Sequence, residues 1–93
     1  MTLRLTLTSQ FKKDYKRIKK RGYNTQELTR VLDALCSGKQ LSAERRDHAL
    51  SGDYMGFREC HIKPDWLLVY AVDRGRLILV ASRTGTHSDL FGK

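Results

Sequence analysis

The sequence predicts an α+β domain, a strand and two helices followed by three antiparallel strands. Apolar residues recur at helical spacing between residues 9 and 38, and leucines alternate with polar residues before them. Beyond residue 56 the apolar segments are short, rich in β-formers, and separated by a proline and by an Asp-Arg-Gly turn signal.

Thr2 to Thr8 places Leu3, Leu5 and Leu7 on one face and Thr and Arg on the other, the period of a half-buried strand. Ser9 is a candidate helix N-cap, and Phe11, Tyr15 and Ile18 follow at i, i+4 and i+7 as an apolar stripe. Lys12, Lys13, Lys16, Arg17, Lys19, Lys20 and Arg21 surround that stripe, with Asp14 the one acid among them. Gly22 ends the helix. Asn24 and Glu27 form a capping-box-like pair for a second helix, which buries Leu28, Val31, Leu32, Leu35 and Cys36 and stops at Gly38. Joined only by Gly22 and Tyr23, the two helices are expected to pack as an antiparallel hairpin.

After a polar connector from Lys39 to Gly52, Phe57 to Ile62 reads as a strand interrupted by Pro64. Trp66 to Val72 is continuously apolar, as in a strand covered on both faces. Asp73-Arg74-Gly75 marks a turn, and Leu77 to Ser82 supplies the last strand. The expected order is β-α-α-β-β-β, an antiparallel sheet covered on one face by the helical hairpin. The opposite face must be partly polar, and a functional site is expected there.

Ninety-three residues suit one domain, here residues 1–93. Lys and Arg number 18 against 10 Asp and Glu, a net charge of +8 that points to a polyanionic partner. With 40% hydrophobic residues the chain carries enough apolar surface to fold rather than remain a disordered basic tail. Its longest apolar run, Trp66 to Val72, falls far short of the ~20 residues of a membrane span. Neither a membrane partner nor a secretory signal is expected. Cys36 and Cys60 are too few and too distant for a disulfide framework or a Cys-x-x-Cys site, and read as buried reduced thiols of a cytoplasmic protein. The spacing of the three histidines, 13 and 26 residues, lacks the short pairs common in zinc sites, so no metal and no cofactor is expected.

The chemistry-bearing residues fall in the second half. His48 follows Arg46-Asp47, His61 precedes Pro64-Asp65-Trp66, and His87 closes Arg83-Thr84-Gly85-Thr86-His87, with Phe91 near the end. Imidazoles move protons near neutral pH, the forked guanidinium suits a phosphate, and an aromatic ring can stack on an unpaired base. Together they are what metal-free RNA cleavage requires: a base for the 2′-OH proton, a cation at the phosphate, and an acid for the departing 5′-oxygen. Trp66, opening an apolar strand, fits a core position as well as a stacking platform. The Lys/Arg helix fits a solvated face as well as an anion-binding one.

Three blocks carry a resemblance. They are Asp47-His48-Ala49-Leu50-Ser51-Gly52; the run from Gly56 through His61 and Pro64-Asp65-Trp66 to Tyr70; and Arg83-Thr84-Gly85-Thr86-His87 with Leu90-Phe91-Gly92. In this order they closely resemble the YafQ branch of the RelE/ParE toxin superfamily, and the predicted element order agrees with a RelE-like fold. The resemblance implies a toxin of a type II toxin–antitoxin system that acts as a ribosome-dependent mRNA endonuclease in the cytoplasm. Its partners would be mRNA, the ribosome and a cognate antitoxin, which charge complementarity makes acidic. Catalytic or mRNA-contacting roles are implied for His48, His61, Asp65, Trp66, Arg83, His87 and Phe91. Among these, His87 is the expected general acid, Arg83 the phosphate clamp, His48 or His61 the base, and Asp65 an imidazole-orienting carboxylate. Trp66 and Phe91 would frame a base, while Lys12, Lys13, Lys16 and Arg17 would dock on RNA. Lys63 stands before Pro64-Asp65 where a relative of this branch has an acidic residue; a cation there would help to hold a phosphate backbone. Two independent imidazoles with an ordinary pKa of about 6.5 are in the productive pair of states in roughly a fifth of molecules at pH 7. That fraction costs only about 1 kcal/mol in rate.

Two other readings compete. A ParE-like toxin would inhibit a topoisomerase without nuclease chemistry, and a non-catalytic module would bind nucleic acid through the same basic face. Three histidines argue against the first, since steric inhibition needs no proton carrier, and inhibition of translation with cut message would separate the nuclease from both.

Overall fold

The computed structural model describes residues 2–92. Its elements run β1 (Arg4–Leu7), α1 (Ser9–Lys20), α2 (Thr25–Cys36), β2 (His48–Ala49), β3 (Arg58–Lys63), β4 (Trp66–Asp73), β5 (Ile78–Gly85) and α3 (His87–Phe91). The predicted connector holds two 3-10 turns, Ala43–Arg45 and Gly52–Tyr54, with β2 between them. The α+β class and the antiparallel β3-β4-β5 meander match the sequence reading, but the whole sheet is mixed. Its order is β1-β5-β4-β3-β2, and β1 lies parallel to β5. This follows from the helices carrying the chain back across the sheet, so that the first strand meets the last one in the same direction.

Local signals set the helix ends. Thr8, not Ser9, caps α1; its extended backbone lets its side chain accept the Phe11 N–H at 3.0 Å. Asn24 caps α2 through the Gln26 N–H. Gly22 takes a left-handed φ of 84° between the two helices.

The main core lies between the sheet and α1 and α2, where Phe11, Ile18, Leu28 and Val31 meet Cys60, Leu68, Tyr70, Leu79 and Ala81. The helices do not close on each other over the edge strand. They leave a groove of about 450 Å³ lined by Leu5, Leu7, Phe11, Tyr15, Leu28 and Leu32 and edged by Lys12 and Lys16. The predicted buried face of β1 is corrected accordingly. Leu5 and Leu7 are 41% and 36% exposed, because β1 is an edge strand and neither helix covers it.

A second, smaller core occupies the opposite sheet face. Leu67 and Val69 pack there beneath Leu90 of α3, with Leu50, Tyr54, Phe57 and Phe91 around them. β4 is thus covered on both faces, as its unbroken apolar run requires.

Candidate active site

Residues directly opposite in paired strands share a face, and two such rows build the site. One row runs His48, Glu59, Val69, Arg83 across β2, β3, β4 and β5. The next runs His61, Leu67, Gly85, and His87 follows two residues beyond Gly85. A bulge in β5 makes this possible. Tyr70 pairs with Ala81 and Val69 with Arg83, leaving Ser82 as the extra residue. Without it Arg83 would follow Ala81 onto the main-core face.

The imidazoles converge on Glu59. Its Oε1 lies 3.6 Å from His48 Nε2 and 3.7 Å from His61 Nε2, and the carboxylate side chain is only 8% exposed. His48 Nδ1 is 2.6 Å from the Arg46 carbonyl and His61 Nδ1 is 3.2 Å from the Pro64 carbonyl. A carbonyl can only accept, so each Nδ1 carries the hydrogen and each Nε2 faces Glu59. The His61 and His87 rings stand 5.9 Å apart. Asp65 Oδ1 accepts both His87 Nδ1–H at 2.7 Å and the His87 backbone N–H at 3.2 Å. These bonds hold the exposed Asp65 carboxyl below its ordinary range.

Arg83 is oriented from outside the histidine cluster. Its Nε donates to Asp14 Oδ2 at 2.8 Å, and one terminal nitrogen reaches Asp14 Oδ1 and the Asp89 carbonyl. The bond to Asp14 raises the guanidinium pKa further. Asp47 fixes β2 by accepting from the Tyr70 hydroxyl and Arg58 Nε, which sets His48 opposite Glu59.

Helix α3 carries His87 at its first position and Phe91 at its last. Thr86 and Asp89 form a capping box, and Asp89 also takes a two-pronged hydrogen bond from Arg21 at the end of α1. Arg17 lies 3.6 Å from the same carboxylate. Phe91 packs edge-on against Tyr54, 5.5 Å between ring centres, and Tyr54 in turn against Phe57.

The structure therefore gathers His48, His61 and His87 around Glu59, with Asp65 bonded to His87, and carries Arg83 and Phe91 on the two elements that follow β4, on the same side of the sheet. Trp66 is corrected. It is 3% exposed in the main core, edge-on to Tyr23, with its indole N–H bonded to Thr84 Oγ1, so no ring face is left for a base. Arg17 is tied to α3, whereas Lys12 and Lys16 edge the groove between the helices and Lys13 is exposed on α1. Sequence reasoning missed Glu59, Asp14 and Asp89. Two of them carried a signal: Glu59, an acid two residues from His61 within a strand, must share its face, and Asp89 stands three residues after Thr86 at capping-box spacing.

The donors could also hold a metal ion. Glu59, His61 and His87 each offer a ligand atom within 4.8 Å of the others. Burial pushes the Cys60 thiol up to about 12, which removes it as a nucleophile or ligand near neutral pH. Among the described residues, no helix is long and apolar enough to cross a membrane.

Residues 3–92 match the family described as a bacterial toxin of type II toxin-antitoxin systems, YafQ. The mRNA interferase toxin YafQ of Escherichia coli K12 is 36% identical over 86 residues, covering 91% of each chain. The solved E. coli DinJ-YafQ toxin-antitoxin complex superimposes with a TM-score of 0.89 at 33% identity, over 99% of this chain and 100% of that one. A metal-bound toxin from Helicobacter pylori gives 0.90 at 38% identity, over 96% and 99%.

Proposed function

This chain belongs to the YafQ family of bacterial toxins of type II toxin–antitoxin systems, and we propose that it cuts message by acid–base chemistry at the His48–Glu59–His61–His87 cluster. It is an mRNA interferase, an endoribonuclease, and an antitoxin is its partner. The finer mechanism rests chiefly on the 5.9 Å between two imidazoles that each have a carboxylate partner. A phosphodiester fits there with one ring on either side at hydrogen-bond reach, about 2.6–3.2 Å.

His61 Nε2, backed by Glu59, takes the proton from the ribose 2′-OH. The freed oxygen attacks the adjacent phosphorus, and Arg83 offsets the charge that builds on the phosphoryl oxygens. His87 Nε2 gives a proton to the leaving 5′-oxygen, so the products are a 2′,3′-cyclic phosphate and a 5′-hydroxyl. Asp65 keeps the His87 ring in the tautomer and orientation this needs. Phe91, propped by Tyr54, offers a ring to the splayed base, and His48 supports the charge on Glu59. A divalent ion, when bound, would draw charge from a coordinated oxygen, and Glu59, His61 and His87 are the donors that fit one. The proton transfers above use the same nitrogens and need none.

The remaining parts of the proposal follow from charge. The basic face of α1, with Lys12, Lys13 and Lys16, docks on the ribosome and its message in the cytoplasm. The antitoxin contributes an acidic, amphipathic segment that fills the groove lined by Leu5, Leu7 and Leu28 between Lys12 and Lys16. Mapping transcript 5′ ends after induction tests the reading. Wild type should leave new ends within translated message and a folded His87→Ala none. DNA damage with intact message would instead point to a topoisomerase target.

A further inference from the structure

We propose that a pocket beside His61 is a second phosphate subsite, in which Arg46 and Lys63 hold the message phosphate one nucleotide upstream of the cut. The inference rests on the acid–base reading, which puts His61 at the ribose 2′-OH.

The pocket, of about 380 Å³, lies among the end of β3, the 3-10 turn Ala43–Arg45 and α2. His61 forms one wall, whereas His87 and Asp65 do not line it, so the pocket adjoins the base and not the acid. In the cleavage geometry the base serves the ribose 5′ to the scissile phosphate, and the acid serves the leaving nucleotide. An RNA strand that passes from His87 to His61 therefore carries the 5′-phosphate of that same ribose into the pocket.

The charges there are unevenly answered. Glu27 is 3.2 Å from Arg30 and 4.0 Å from Arg45, and Arg45 donates to the Ile62 carbonyl at 2.7 Å. Those groups are tied to one another. Arg46 and Lys63 are exposed and have no carboxylate partner among the described residues, against a single unpaired acid, Glu44. A guanidinium and an ammonium that flank an imidazole suit a phosphate, which the first meets as a fork and the second as a point charge. The pocket is lined by no Phe, Tyr or Trp on which a base could stack, so its contents favour RNA backbone over base.

Arg46 also joins the pocket to the catalytic cluster. Its backbone is left-handed, φ 49° and ψ 43°, a conformation seldom taken by residues with a Cβ. In it the Arg46 carbonyl accepts from His48 Nδ1 while the side chain lines the pocket. Across the pocket, a bulge shifts the pairing of β3 with β4 between His61 and Lys63, and both residues line it.

Ribosome-bound messages that carry one uncharged methylphosphonate test the proposal. Placed immediately 5′ of the nucleotide that is cut, it should lower kcat/KM of the wild type about tenfold, the effect of one lost charge-assisted contact. Arg46→Gln with Lys63→Gln should lose as much on ordinary message and nothing further on the modified one, because both changes remove the same contact. The loss should fall on KM rather than on the rate at saturation, and Arg46→Lys with Lys63→Arg should recover most of it.

Binding apart from activity is read with an RNA that has a 2′-deoxy nucleotide at the cut. In the Gln double variant the slope of log affinity against log salt should shrink by about 0.7, the share of one phosphate on a single strand. Glu44→Gln should bind this RNA more tightly, since it removes the unpaired acid. An unchanged salt slope or full-rate cleavage by the double variant would overturn the proposal. So would losses that add to that of the methylphosphonate, which would assign the two cations to ribosomal RNA. Weaker binding by Glu44→Gln would put a base in the pocket and overturn it as well. Wild-type cleavage by His61→Gln would sink the acid–base reading instead, and the deoxy-RNA slope would still decide the subsite.

Discussion

Asp14 and Arg83, 69 residues apart, link the first helix to the proposed phosphate clamp through a carboxylate that is buried. Asp14 is fully buried and accepts from Arg83 Nε at 2.8 Å, from the Thr84 backbone N–H at 3.2 Å and from Gln10 at 3.1 Å. A buried carboxylate with donors from three residues holds a long side chain still at low entropic cost once folding has placed it. The basic helix therefore has a second task beyond contacting anions: it aims Arg83.

Replacing Asp14 by Asn keeps its shape and removes the charge that Arg83 answers. Stability should fall by about 1.5–3 kcal/mol, the range for losing hydrogen bonds to a charged group. Urea unfolding will measure it. Beyond that loss, a fully folded Asp14→Asn should cleave more slowly at saturating message with little change in KM. Its effect should not add to that of Arg83→Ala, because the two act as a unit. Additive losses in rate would show that Asp14 serves the fold alone.

Asp65 and His87 predict a different signature. Asp65 is exposed, and the His87 hydrogen bonds lower its pKa, so it stays ionised throughout the range in which imidazoles titrate. Its help to His87 is complete above the ordinary carboxylate range and vanishes only as pH falls through the lowered value. The cleavage rate should follow a bell-shaped pH profile whose limbs belong to the imidazoles. His87→Ala should lose about 10²–10⁴-fold in rate, the usual worth of a positioned acid. Asp65→Asn should lose less and unfold at the wild-type urea concentration. A large loss of stability in Asp65→Asn would contradict the purely orienting role.

How much of this was visible in the sequence varies by residue. The unbroken apolar run of β4 announced a strand covered twice, and it packs in both cores. Leu3, Leu5 and Leu7 announced a strand, but alternation cannot say that its partner is β5, at the far end of the chain, or that no helix covers its edge. Trp66 was ambiguous because large aromatics serve cores and binding faces alike; Thr84 decided it by supplying a buried partner for the indole N–H. The histidines were visible as proton carriers. Spacing alone puts Glu59 on the face of His61, but only the strand pairing brings His48 to its other side. The bulge at Ser82, which turns Arg83 to the site, left no residue signature at all. Helix α3 is too short for periodicity, although Thr86 and Asp89 spell its cap.

Asp89 makes the placement of α3 sensitive to acid. Arg21 and the Thr86 cap hold its carboxyl well below the ordinary carboxylate range. A lowered folded-state pKa means that its stabilisation is fully present above the unfolded value, near 4, and is lost as pH falls through the lower folded value. Asp89→Asn should cost about 1–2 kcal/mol at pH 7, from one cap and one partly exposed ion pair. The difference from wild type should shrink in urea titrations carried out at progressively lower pH. Gly85→Ala should disturb the same cap. A Cβ there would lie 2.9 Å from Asp89 Oδ2, on a residue at φ 149°. Both variants should slow cleavage, because α3 carries His87 and Phe91. Equal loss of stability for Asp89→Asn at pH 7 and pH 3 would remove the charge from this account.

The groove between the helices yields a prediction that separates the antitoxin from RNA. Its floor is apolar and its edges are Lys12 and Lys16, so a partner segment must bury side chains as well as neutralise charge. Leu7→Asp places an acid on an already exposed strand edge, where the fold loses little. It should weaken antitoxin binding at least tenfold, about 1.4 kcal/mol, and leave cleavage by the free toxin unchanged. Lys12→Glu with Lys16→Glu should reduce both, since RNA contacts through lysine are electrostatic and fade steeply with salt. The salt dependence of the two complexes should differ accordingly. Raising salt should release the message readily and the antitoxin much less, because buried apolar contacts are not screened. Loss of antitoxin as steep as loss of message, or full antitoxin affinity in Leu7→Asp, would move the antitoxin's main contact away from this groove.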